Sequence, residues 1–159
     1  MPDLKTLPPL GLSLYRIVIG FLIACHGAST LTGFPAKSAT GHTVSPTTWP
    51  GGVAAVLQLV FGILVMLGLW TRISAVVLSG TMAYAYFSVH QKHALLPMAN
   101  GGEPAALFSW AFLAIAIVGA GPLALDALLP TRSAGTALAR SARRPTPSGT
   151  TAPGMAAGA

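Results

Sequence analysis

The chain has 159 residues, 53% of them hydrophobic and only 8% charged, with a net charge of +6. A soluble domain is about a quarter charged, so this sequence lacks the polar groups to cover a water-facing surface, a need that a bilayer removes. The basic residues are scattered rather than clustered, which argues against a nucleic-acid partner, and one cysteine, Cys25, rules out an internal disulfide and a CxxC redox pair.

The first apolar segment runs over residues 10–31, after the helix-stopping Pro8-Pro9, and carries one charge, Arg16. Leu22-Ile23-Ala24-Cys25 resembles a lipoprotein processing site. Arg16 interrupts the apolar run that such a signal needs, so a membrane span is the reading adopted. Arg16 lies about 9 Å along this helix, deep enough that an unpaired guanidinium would cost several kcal/mol. The second segment, 53–70, rises about 27 Å and matches the hydrocarbon thickness. It carries one strongly polar side chain, Gln58, placed either to hydrogen-bond His26 or to join helices. The third, 73–89, follows so closely that it forms a tight antiparallel hairpin with the second. After the turn Asn100-Gly101-Gly102-Glu103-Pro104, the fourth runs over 104–125 and ends beside Asp126. Residues 131–159 are rich in Ala, Pro, Ser, Thr and Gly without apolar periodicity, and read as a disordered basic tail. The expected fold is all-α: a membrane four-helix bundle (10–130) with short loops, a short N-terminal segment (1–9) and that tail.

Four spans put both termini on one side. That side holds Lys5, Arg72, Arg132, Arg140, Arg143 and Arg144, against Lys37 and Lys92 opposite, so the termini are expected in the cytoplasm of a plasma (inner) membrane protein. Trp49 and Trp70 flank the second span at interfacial depth. Asp126 is the acidic residue expected to pair with Arg16, with Arg72 as its competitor. The topology gathers His26, His42, His90 and His93 on the outer face, with Glu103 nearby. His90 and His93 share a face if their helix extends that far. Imidazole and carboxylate suit a metal ion or a proton relay, so His26, His90, His93 and Glu103 are candidate metal ligands, and His26, His90 and Glu103 candidate catalytic groups.

Arg16, Gly20, His26-Gly27 and Gly33, then Gly62, Gly68-Leu69 and Thr71-Arg72, resemble the pattern of the DoxX family. The second half adds Ala85-Tyr86-Phe87 with His90, Pro97, Asn100-Gly101-Gly102-Glu103, Gly119-Ala120-Gly121-Pro122 and Leu125-Asp126. The resemblance covers residues 12–130. It departs at Gln58, where many members carry a carboxylate, and at Glu103-Pro104-Ala105, where Glu-Leu-Ala is commoner. It implies a four-helix membrane protein linked to quinol oxidase subunits and to complexes handling thiol and oxidative stress. The functional expectation is a redox-associated membrane subunit that uses quinone or a metal ion. The alternative is a non-catalytic accessory or assembly subunit. The expected partners are the lipid bilayer with other membrane subunits or further copies of the chain.

Overall fold

The computed structural model describes residues 7–37 and 41–128. The expected tail, 131–159, and most of the N-terminal segment lie outside the described residues, together with Lys5 and the four tail arginines. Among the described residues the fold is all-helical, without strands: α1 (Leu7–Thr32), α2 (Gly51–Leu67), α3 (Thr71–Ala85), the one-turn α4 (Pro97–Asn100) and α5 (Glu103–Val118). A π-helical turn, Tyr86–His90, prolongs α3, and a 3-10 turn, Leu125–Leu128, follows α5. Two helices are long and apolar enough to cross a membrane, Pro9–Thr32 and Thr71–His90; Gly51–Leu67 and Glu103–Val118 are shorter apolar helices.

Glycine sets the closest packing. α1 lies against α2, where a Cβ on Gly27 would stand 2.5 Å from the Ala55 carbonyl oxygen and one on Gly20 would stand 2.7 Å from the Met66 nitrogen. Only residues without a side chain let backbones approach so closely. α3 packs on α5 and, less extensively, on α2, whereas α1 and α5 barely touch. α2 stops at Gly68, whose φ of 77° suits the left-handed cap and whose N–H reaches back to the Leu64 and Val65 carbonyls.

The fourth helix is shorter than expected. α5 ends at Val118 rather than near 125, because Gly119 and Gly121 adopt φ of 105° and 73° and Pro122 cannot continue a helix. The chain from Gly119 to Ala124 is irregular.

The interior holds a modest apolar cluster, including Ile23, Val65, Leu78, Phe112 and Ile115, with Phe108 and Phe112 stacked at 6.1 Å. Arg16 is nevertheless the largest fully buried side chain, and Ser13, Gln58, Thr71, Ser74 and Asn100 are buried with it. The outside is the reverse: Leu14, Val18, Phe21, Ile73, Val76, Leu107, Trp110 and Ile117 are all exposed. Polar groups within and large apolar side chains without is an arrangement that water penalises and hydrocarbon does not.

Candidate functional site

At the end of the bundle where α1 begins, Arg16 is a hub for backbone carbonyls. Its Nε donates to Ala120 O (2.8 Å), Nη2 to Leu123 O (2.8 Å), and Nη1 to both Met66 O (2.7 Å) and Val65 O. Met66 and Val65 lie in the last turn of α2, where Val65 O also accepts the Gly68 N–H, and the other two oxygens belong to the irregular stretch after α5. A cation at a helix C-terminus also meets the negative end of its dipole. Ser13 adds a further tie, accepting from Leu123 N at 3.2 Å.

The expected Arg16–Asp126 ion pair is not formed as a direct contact. Asp126 accepts the backbone N–H groups of Trp70 (3.0 Å) and Thr71 (3.3 Å) and so caps the start of α3 from a distant part of the chain. No side chain of Trp70 itself does this. The carboxylate still acts on Arg16 through space. Arg72, the competing partner, is exposed and lies over Gly119, 3.4 Å from where a Cβ there would stand. The two charges are satisfied separately because backbone groups freed at helix ends are nearer acceptors and donors than each other.

Mid-bundle, Gln58 is buried and donates to Met82 Sδ at 3.4 Å, joining α2 to α3 rather than reaching His26. Ser79 and Ser109 exchange hydroxyl-to-carbonyl bonds of 2.9 and 3.1 Å between α3 and α5.

At the opposite end, His90 closes the π-helical turn, in which Gln91 N–H bonds the Tyr86 carbonyl five residues back. That wider turn changes the face on which His90 emerges. The Cβ of His90 packs on Gly102, where an added Cβ would stand 2.7 Å from it and 2.8 Å from the Tyr86 ring. His90 Nδ1 lies 3.2 Å from the Asn100 carbonyl. A carbonyl only accepts, so Nδ1 carries the hydrogen, and the neutral ring presents its lone pair at Nε2. Asn100, which sequence reasoning placed only in a turn, organises this corner. It is buried, its Nδ2 donates to Ala94 O (2.8 Å), and its Oδ1 accepts from Gly102 N (2.7 Å).

The other outer-face candidates do not join His90. His93 is exposed in the turn after the helix, so the two histidines do not share a face. His26 is exposed on α1, and Glu103 opens α5 as an exposed residue. Among the described residues no three His, Cys, Asp or Glu side chains are grouped to hold a metal ion, so the expected metal set of His26, His90, His93 and Glu103 is not assembled. Cys25 is half-buried within the unbroken α1.

Beside the His90 corner, between α3 and α5, lies a cleft of about 220 Å³ lined by Tyr86, Phe87, Pro97, Ala106, Ser109 and Trp110 among others. Tyr86 is oriented by its hydroxyl, which donates to Leu95 O (3.1 Å), and its ring meets Phe87 edge-on at 5.3 Å. The sequence signal for this cleft was the Ala85-Tyr86-Phe87 stretch. Tyr84 instead faces Trp49, 6.2 Å between ring centres, so the two tyrosines point apart.

Apolar helices, a polar interior and an apolar exterior define a membrane-associated helical protein. The DoxX family model matches residues 11–91, and the chain belongs to the DoxX family. An uncharacterized protein of Haemophilus influenzae (strain ATCC 51907 / DSM 11121 / KW20 / Rd) is 40% identical over 131 residues, 79% of this chain and 96% of that protein. No solved structure matches the chain.

Proposed function

We propose that this DoxX protein is a four-span, multi-pass subunit of the plasma (inner) membrane, with both termini cytoplasmic, that takes part in redox chemistry by binding a quinone ring at its outer face. The apolar exterior of all the long helices supports four spans, including the short α2 and α5, which reach about 25 Å. The excess of Lys and Arg on the terminal side supports the orientation. Reporter fusions after Lys37 and after Lys92 should report the outer side, and fusions at either terminus the inner side.

The observation that carries the redox reading is the cleft walled by Tyr86, Phe87 and Trp110, whose Tyr86 meets Gly102 together with His90, the imidazole of His90 being held by the Asn100 carbonyl. Quinone rings are flat and apolar, with oxygens at their edges, and an aromatic wall with one adjacent polar group suits them. Quinol oxidation releases protons, and the Nε2 lone pair of His90 is a nearby imidazole acceptor for one. The electron acceptor is then a partner subunit, since the described residues supply no metal-ligand group.

The test uses protein in lipid nanodiscs carrying Trp110 as its one tryptophan, Trp49 and Trp70 being replaced by Phe. A short-chain quinone should quench Trp110 fluorescence saturably. His90→Ala should weaken the binding about tenfold, the order expected for one lost hydrogen bond. Linear, non-saturating quenching unaltered by His90→Ala refutes the reading. Together with a stoichiometric partner, that result would establish the accessory-subunit alternative.

A further inference from the structure

The seam between α1 and α5 is the one place in the helix ring where neighbours barely meet. It holds a groove of about 490 Å³, distinct from the His90 cleft, walled by Tyr15 and Ile19 of α1 and by Leu107, Phe108 and Ala111 of α5. Its lining is almost wholly apolar except at one end, where Glu103 stands at the first position of α5. Glu103 is exposed, and its carboxylate makes no hydrogen bond or ion pair to another described residue.

Size narrows the occupant. From Glu103 to Ala111 the groove runs about 12 Å along α5, so its mean cross-section is roughly 40 Å². A helix about 10 Å across occupies roughly 80 Å², so a hydrocarbon chain sits inside the groove where a partner's transmembrane helix would only lie across its mouth. A methylene takes about the volume of a water molecule, ~30 Å³, so the groove accepts on the order of 16 carbons of hydrocarbon chain. Charge narrows it further. A carboxylate at the outer end of an oily slot repels phosphate-only headgroups and attracts a head that presents a cation able to donate hydrogen bonds.

We propose that the α1–α5 groove is a binding site for an amine-headed phospholipid of the phosphatidylethanolamine type from the outer leaflet, its chain lying between Ile19 and Phe108 and its ammonium bonded to Glu103. The lipid closes the seam that the protein leaves open. The site stands on the membrane placement and is independent of the quinone reading, which concerns the other side of α5. Because Glu103 serves the lipid, it is not part of the proton chemistry at His90.

The experiment is lipid analysis and native mass spectrometry of the full chain, purified in mild detergent from nanodiscs of equimolar phosphatidylethanolamine, phosphatidylglycerol and phosphatidylcholine. The wild type should retain phosphatidylethanolamine at least threefold over either of the others. Discrimination against phosphatidylcholine, whose trimethylated head cannot donate, requires no variant and so does not depend on any mutant folding. Glu103→Gln should abolish the preference while leaving the helical circular dichroism unchanged, and Leu107→Trp, which fills the groove, should reduce retention of every lipid. Equal retention of the three lipids, preference for phosphatidylglycerol, or an unaltered preference in Glu103→Gln overturns the proposal. Recovery of a quinone or a partner subunit that Leu107→Trp displaces overturns it as well. Quenching of Trp110 by quinone in the Glu103→Gln protein should be unchanged, so failure at one site is not failure at the other.

Discussion

Replacing Arg16 by Met keeps an unbranched apolar stem in place of the guanidinium-bearing chain and removes four donated hydrogen bonds. The loss is smaller than four full penalties, because the Val65 carbonyl keeps its bond from Gly68 N at 3.1 Å. Met66, Ala120 and Leu123 are left without their donor, at about 1–3 kcal/mol for each acceptor that stays buried. Removing the charge also relieves the guanidinium's own desolvation, which offsets part of the cost. The expected net loss is about 3–5 kcal/mol, read by equilibrium unfolding in mixed micelles. Arg16→Lys has a single nitrogen and should recover about half. Asp126→Asn, whose amide oxygen still accepts one backbone N–H, should cost about 1 kcal/mol. Since the two side chains act on different partners, the Arg16→Met/Asp126→Asn double variant should show a coupling below about 1 kcal/mol. A coupling of about 2 kcal/mol or more would show that the direct ion pair carries the stability and would refute the hub described here.

Gly27→Leu should separate α1 from α2, since its Cβ meets the Ala55 carbonyl and the Leu59 nitrogen, both backbone atoms that cannot swing away; a loss of at least ~2 kcal/mol is expected. Gly80→Ala is the control, with nothing within 4 Å of the new Cβ, and should be neutral or stabilising by up to ~1 kcal/mol in the same unfolding assay. Ser79→Ala should cost about 0.6 kcal/mol, the usual size of an interhelical bond in a membrane, and the Ser79→Ala/Ser109→Ala pair less than the sum of the singles. Ser74→Ala should be neutral or stabilise by up to ~1 kcal/mol, because the Ser74 hydroxyl is buried without a hydrogen-bond partner among the described residues; a loss above ~1 kcal/mol by the same assay would contradict this.

The long apolar runs were legible because helix formation is a local matter, but their ends were less so: Pro8-Pro9, read as helix-stopping, lie in the first turn of α1, and the second run, read to Trp70, stops at Gly68. What the sequence misplaced shares one physical cause, seen at Arg16. In an apolar run a guanidinium needs partners, and sequence offers only acidic residues as candidates, which points to Asp126. Backbone carbonyls are invisible there, because every residue has one and a helix normally consumes it. Gly119-Ala120-Gly121-Pro122, read as the apolar end of the fourth span, in fact leaves the helix and so frees the Ala120 and Leu123 oxygens for Arg16. Had α5 continued to residue 125, the Ala120 carbonyl would have been spent on the N–H four residues on, and Arg16 would have lacked it. The helix end and the arginine's partners are therefore one feature. The same reasoning holds at the end of the bundle opposite Arg16, where the π-helical turn and the Asn100 carbonyl hold His90 against the start of α5 and away from His93. Histidine spacing counted along an ideal helix predicts a shared face, and one residue too many in the last turn undoes it. In a chain so poor in charge, the polar side chains answer to backbone groups released at helix ends. Where those ends fall thus decides which candidate residues can meet.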